Sequence, residues 1–222
     1  PKRTLADNRR YFNEGGMGNV ETKRGCPNAC LYCADPVSKG RQVRLRSPVS
    51  VADEFQALLD MGIDHFHLCD CEFNQPESHA IAVCRELIRR GLGRRARWYT
   101  YASVAPFSEE LARLLPQAGC AGINFGADSG DDAMLHRLRR DFTVADLERT
   151  ARLCHDNGIV FMYDLLLGGP GETRESLRHT VEAMKRLSPD RVGAWLGVRV
   201  YPGTALAEMV MKQGPLDNNP NL

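Results

Sequence analysis

The sequence predicts an α/β protein, a parallel sheet of six βα units curved into a barrel left open on one side. Three observations predict it. Strand-like and helix-like segments alternate along the 222 residues without a low-complexity tract, and that order implies right-handed crossovers and a parallel sheet. The segment Val160 to Leu167 (VFMYDLLL) is nearly all apolar, the pattern of a strand buried on both faces. The beats number six, whereas a full eight-fold barrel takes ~250 residues.

Each element follows from local pattern. Asn19 to Arg24 (NVETKR) is the first strand, ended by Gly25. Ser50 offers an N-cap with Asp53 three residues on, and Val51, Phe55, Leu58 and Leu59 follow at helical spacing up to Gly62. Asp64 to Leu68 is the second strand, and Glu77 to Arg90 a helix with Ile81, Cys84, Leu87 and Ile88 on one face. Arg97 to Ser103 (RWYTYAS) is aromatic and β-like. Ser108 caps a helix carrying Leu111, Leu114 and Leu115, which ends near Gly119. Gly122 to Gly126 is the fourth strand, followed by a short helix over Asp132 to Arg139. Thr143 caps the next helix, through Leu147, Ala151 and Cys154, and Gly158 stands where a helix C′ glycine belongs. After Val160 to Leu167 comes the helix Thr173 to Leu187, and Arg191 to Tyr201 is the last strand.

Composition narrows the function. The chain is 43% hydrophobic and 26% charged, with 29 Lys+Arg against 28 Asp+Glu and a net charge of +1. That is an ordinary globular balance, and it removes the electrostatic case for a dedicated nucleic-acid binder. No apolar run approaches the ~18 residues that span a bilayer, so no membrane partner is expected. The chain opens on Pro1 without a signal peptide and closes on a polar stretch, Gly214 to Pro220. It is expected to be a piece of a longer protein.

The 8 cysteines carry the chemistry. Without a secretory signal, metal binding or catalysis is a better explanation for them than disulfides. Cys26, Cys30 and Cys33 form a CxxxCxxC run, with Tyr32 just before the last, directly after the first predicted strand. In a parallel barrel that is a βα loop on the C-terminal face, where active sites are built. Three thiolates suit a soft metal centre. A structural zinc and an electron-transfer cluster each normally take four closed ligands, so three leave a position open. A non-catalytic iron–sulfur or zinc module is the alternative.

This spacing and aromatic resemble the signature of the radical S-adenosylmethionine (SAM) superfamily, and the resemblance extends over about 19–204. It implies a partial, TIM-like (β/α)6 barrel. It also implies that Cys26, Cys30 and Cys33 hold a four-iron, four-sulfur cluster whose fourth iron is chelated by SAM. One electron would cleave the sulfonium and release a 5′-deoxyadenosyl radical. An external donor of flavodoxin or ferredoxin type would supply that electron, in a reducing cytoplasm. Further turns match in family order. Glu72, in Cys69-Asp70-Cys71-Glu72, stands where a GGE turn contacts the SAM amino group, with Asp70 and Cys71 in place of the glycines. Asp128 and Ser129 occupy the ribose-contacting turn. Gly168, Gly169 and Pro170 open a GxPGET-like turn that follows the fifth strand, which in the family packs near the adenine, and Tyr201 and Pro202 belong to a YPGT turn.

The YPGT branch includes methylthiotransferases, anaerobic porphyrin oxidases and many cobalamin-binding enzymes. The lead segment Asp7 to Phe12 with Gly15-Gly16 looks like the connector from a cobalamin-binding domain. The resemblance therefore implies residues 1–18 as a linker from such a domain, 19–204 as the core and 205–222 as the start of a C-terminal extension. The implied reaction is cobalamin-dependent methylation of a small-molecule or natural-product substrate. The alternative is related radical chemistry without cobalamin, of methylthiotransferase or porphyrin-oxidase type.

The remaining residues read as scaffold. Cys84, Cys120 and Cys154 lie on packed faces, where free cysteine is commonly buried, while Cys69 and Cys71 sit at a strand end on the active face. Lys39, Arg41, Arg44 and Arg46 read as a solvated face, as do Arg89, Arg90, Arg94, Arg95 and Arg97 at the barrel bottom. Tyr99, Tyr101, Trp195, Arg199, His65, His67 and Asp164 stand on strands that could point into the barrel.

Overall fold

The computed structural model describes residues 3–214. Eight strands run in chain order: β1 (Gly18–Val20), β2 (Lys23–Arg24), β3 (Arg44–Leu45), β4 (His65–Leu68), β5 (Arg97–Ala102), β6 (Cys120–Asp128), β7 (Phe161–Leu167) and β8 (Arg191–Leu196). The helices are α1 (Asn8–Asn13), α2 (Asp35–Ser38), α3 (Pro48–Asp60), α4 (Glu77–Arg89), α5 (Glu109–Gln117), α6 (Asp132–Arg137), α7 (Val144–Asp156), α8 (Arg174–Leu187) and α9 (Ala205–Met211).

Six strands form one sheet in the order β1-β4-β5-β6-β7-β8, every pairing parallel. β1 and β8 stand at its two ends, so the barrel is partial, as the six beats imply. β2 and β3 make a separate antiparallel clip. The core fills the space between the sheet and the helices. Phe55, Phe66, Trp98, Phe125, Phe161 and Tyr163 are almost wholly removed from water, each worth ~1.5–3 kcal/mol of transfer free energy.

Several boundaries differ from the sequence reading. Helix α3 starts three residues early, because Ser47 rather than Ser50 is its cap: the Ser47 side chain accepts from Ser50 N and Pro48 takes the first turn. The first strand is split. Val20 ends β1, and Lys23–Arg24 turns away to pair with Arg44–Leu45. β7 is not buried on both faces: Phe161, Tyr163 and Leu165 pack outward onto helices, while Met162 and Asp164 are half-buried on the hollow side. An open barrel leaves that inner wall without a facing layer. The last strand ends at Leu196, where Gly197 takes φ 82°, so Tyr201 and Pro202 belong to a loop. Thr204 then caps α9, its side chain accepting from Ala207 N.

The flanking segments pack on this frame. Asp7 caps α1, and Phe12 rests against the core. Leu206 of α9 is buried with Leu31 and Leu138. Of the expected polar tail, 215–222 lies outside the described residues. Arg46 does not belong to a solvated face. Its Nη1 donates to Glu54 Oε2 at 2.6 Å, and Arg3 Nε to the other oxygen at 2.8 Å, around a carboxylate only 5% exposed. A buried acid demands that pairing.

Candidate functional site

The cysteine loop leaves the β2–β3 clip at the C-terminal ends of the strands. Gly25 makes the turn at φ 101°, and any Cβ there would run into the Gln42 carbonyl. Cys26 N donates to Gly40 O at 3.0 Å and Leu31 N to Leu138 O at 3.0 Å, while Leu31 O accepts from Leu206 N of α9 at 2.9 Å. The loop is thus pinned on both sides by backbone bonds.

Asp70 is the pillar beneath it. The sequence reading took this residue for a substituted glycine, but its buried carboxylate accepts from Thr22 N at 2.8 Å, Thr22 Oγ1 at 2.5 Å and Lys23 N at 3.2 Å. Those bonds hold the segment between β1 and β2 against the end of β4. Cys71 is also placed: Lys39 Nζ lies 3.5 Å from its sulfur. The neighbouring Cys71 thiol is the first cause of a Cys26 pKa lowered to about 6, whereas burial pushes Cys30 up to about 11 and also raises Cys33.

Cys30, Glu72 and Asp128, distant in sequence, meet around a residue the sequence reading missed. Arg140 Nη1 donates to Cys30 Sγ at 3.1 Å and to the Tyr32 hydroxyl at 3.4 Å, and Nη2 to Gly126 O at 3.0 Å. Asp128 Oδ2 stands 3.4 Å from Nε and Glu72 Oε1 3.9 Å from Nη2. The Arg140 side chain is 4% exposed, and its Nε, despite the nearby charge, has no hydrogen-bond acceptor among the described residues. Burial raises Asp128 and lifts Glu72 to about 7. Desolvation lowers the Arg140 pKa, but the facing acids outweigh it and the guanidinium stays charged. Arg140 turns inward because α6 ends in a left-handed residue, Arg139 at φ 59°, with Arg140 N bonded back to Leu135 O at 2.9 Å. In the sequence nothing distinguishes Arg140 from the other 28 basic residues.

The other predicted residues separate into two groups. Gly168 and Gly169 lie at the mouth, Gly168 at φ 86° beside Gly197, and Gly169 against Leu138, Met134 and Val198. Tyr201 is an exposed rim residue lining, with Tyr32 and Trp195, a cavity of about 480 Å³; Pro170 is half-buried and Pro202 exposed in their turns. Ser129 is turned away: its Oγ is 3.0 Å from Thr180 Oγ1 on α8 and accepts from Asp131 N. Asp131 caps α6, its side chain accepting from Met134 N, which leaves the Asp128 carboxylate to the site.

Below the mouth, a cavity of about 320 Å³ is lined by Tyr101, Asn124, Met162, Asp164, Trp195 and the Tyr32–Asp128 pair. Of the strand residues in question, Tyr101, Asp164 and Trp195 face this hollow, and His67 stacks on Tyr99 at 4.4 Å. His65 is exposed beside Asp64. Cys84 and Cys154 are buried and Cys120 half-buried.

A family model described as the Radical SAM superfamily matches residues 20–184. The chain belongs to the radical SAM superfamily. Among radical SAM relatives, the tryptophan 2-C-methyltransferase of Streptomyces laurentii is 40% identical over 93% of this chain and 37% of its own length. The anaerobic magnesium-protoporphyrin IX monomethyl ester cyclase of Rubrivivax gelatinosus is 30% identical over 75% of this chain and 30% of its own. The radical SAM methyltransferase TsrM of Kitasatospora setae, solved with cobalamin and a [4Fe-4S] cluster, superposes with TM-score 0.88. It is 36% identical, covering 94% of this chain and 39% of that one. The chain therefore spans about two fifths of the length of these two methyltransferase relatives. The cobalamin-dependent enzyme OxsB shares the fold, at TM-score 0.78 and 17% identity.

Proposed function

We propose that this chain is the radical SAM core of a cobalamin-dependent methyltransferase acting on a carbon of a small aromatic molecule of the tryptophan class. In this reading 1–18 is the connector from a cobalamin-binding domain, 19–204 the core and 205–222 the start of a further region. The observation that carries it is the Cys26–Cys30–Cys33 loop, facing the buried Arg140–Asp128–Glu72 group at the strand ends. The methyl-transfer part rests on the 40% identical tryptophan methyltransferase and on the TsrM structure with tryptophan and a SAM analogue bound.

The residues fit a [4Fe-4S] cluster. Three free thiols lie on one short loop, and a fixed N–H donor is aimed at one sulfur. Among the described residues no three His, Cys, Asp or Glu side chains gather around a single-ion position; a cubane instead takes each thiolate on a different iron. When bound, the cluster supplies one-electron reduction of the SAM sulfonium, the electron coming from a flavodoxin- or ferredoxin-type donor.

The chain's own groups bind and orient. Glu72 accepts from the SAM ammonium. Asp128, held by Tyr32, accepts from the ribose hydroxyls. Gly168, Gly169 and Pro170 give the adenine a close backbone wall, and Tyr201 and Pro202 border the mouth. Ser129 supports this turn through Thr180. The lower cavity offers Tyr101 and Trp195 to a flat ring, with Asn124 and Asp164 as polar partners. A reducing cytoplasm suits such a site.

The test uses the full-length protein, reconstituted anaerobically with cobalamin, labelled SAM and tryptophan. A product carrying one labelled methyl group is expected, and its loss when Cys26, Cys30 and Cys33 become Ala. 5′-Deoxyadenosine with no methylated product moves the reading to chemistry without methyl transfer. Turnover surviving the triple replacement overturns it.

A further inference from the structure

We propose that Arg140 is a positioning residue for the iron–sulfur site, donating a guanidinium N–H to the Cys30 sulfur and thereby raising the reduction potential of the cluster. This rests on the reading that Cys26, Cys30 and Cys33 hold that cluster.

The geometry is specific. Arg140 Nη1 lies 3.1 Å from Cys30 Sγ with its N–H directed at the sulfur. The guanidinium has further partners: Nη2 donates to Gly126 O at 3.0 Å, and Cζ lies over the Phe142 ring, 4.8 Å from its centroid. Asp128 and Glu72 meet it on Nε and Nη2, so the acids engage other nitrogens than the one aimed at sulfur. A rigid planar fork can serve all these partners at once, which the point charge of a lysine cannot.

The consequence is electrostatic. Reduction adds negative charge to a cluster, and hydrogen bonds to its sulfurs favour the more negative state. A cation with a 4% exposed side chain acts with little screening from water, so its effect exceeds that of a surface charge. Arg140 is thus placed to make the first electron easier to deliver, separately from any contact with SAM.

The experiment is a potentiometric titration of the reconstituted full-length protein, followed by electron paramagnetic resonance without SAM, for wild type, Arg140→Lys and Arg140→Gln. Iron and sulfide content are measured in parallel. A more negative midpoint potential is expected in both variants, with the larger shift in Arg140→Gln. Unchanged potentials in cluster-loaded variants overturn the proposal and leave the functional reading standing. Absence of a cluster in the wild type overturns both. Should neither variant load, wild type grown with ¹⁵N-guanidino arginine decides: a nitrogen hyperfine coupling to the reduced cluster supports the bond, and its absence refutes it.

Discussion

The Tyr32 hydroxyl donates to Asp128 Oδ2 at 2.5 Å, tying the residue before the last loop cysteine to the end of β6. Burial raises the pKa of that phenol, so it stays a protonated donor. Tyr32→Phe leaves a buried carboxylate without this partner, and a loss of ~1–3 kcal/mol in stability is expected. Anaerobic urea denaturation measures it. A variant as stable as wild type contradicts the account.

Asp128 sits at φ 61°, a left-handed conformation that Asp and Asn tolerate better than other side chains. Asp128→Asn should therefore keep the fold but weaken SAM binding about tenfold, through loss of charge-assisted acceptance. Isothermal titration of the reconstituted protein reads this directly. Undiminished affinity would remove Asp128 from the ribose contact.

Gly193 pairs with Asp164 across β7 and β8, and a Cβ at Gly193 would collide with Asp164 Oδ1. Gly193→Ala should displace that carboxylate within the lower cavity at a cost of about 1 kcal/mol or less, because the atom it meets is the free end of a flexible side chain. Adding Asp164→Ala should recover much of that loss. A double variant no more stable than the single one shows that the clash is not the cause.

Glu72 has a folded pKa of about 7 against an ordinary 4.5, because burial penalises the charged form. The fold thus favours the protonated acid. This contribution is fully present below pH 4.5 and is lost as pH rises to about 7, up to about 3 kcal/mol. In the cluster-free chain, thermal melts should show wild type losing stability relative to Glu72→Gln between pH 5 and 8. Parallel curves would contradict the burial of this carboxylate.

How much was legible varies by residue. The alternation of elements and the Ser108 and Thr143 caps are local patterns, and the structure forms them as read. The cap of α3 was misassigned because Ser47 and Ser50 are both good caps, and only Pro48 in the first turn separates them. The inner face of β7 was misread because an apolar strand looks the same whether its second face meets a layer or a cavity.

By itself, the sequence determined the βα order, the open six-strand barrel and the thiol trio on the active face, because those follow from periodicity, glycine and proline punctuation and residue spacing. Only the tertiary structure decided that Arg140, 110 positions beyond Cys30, reaches its sulfur, that Asp70 braces the loop and that Ser129 faces α8 instead of the mouth. Those contacts join segments remote along the chain. Their energies depend on burial and direction, and neither is written in the order of the residues.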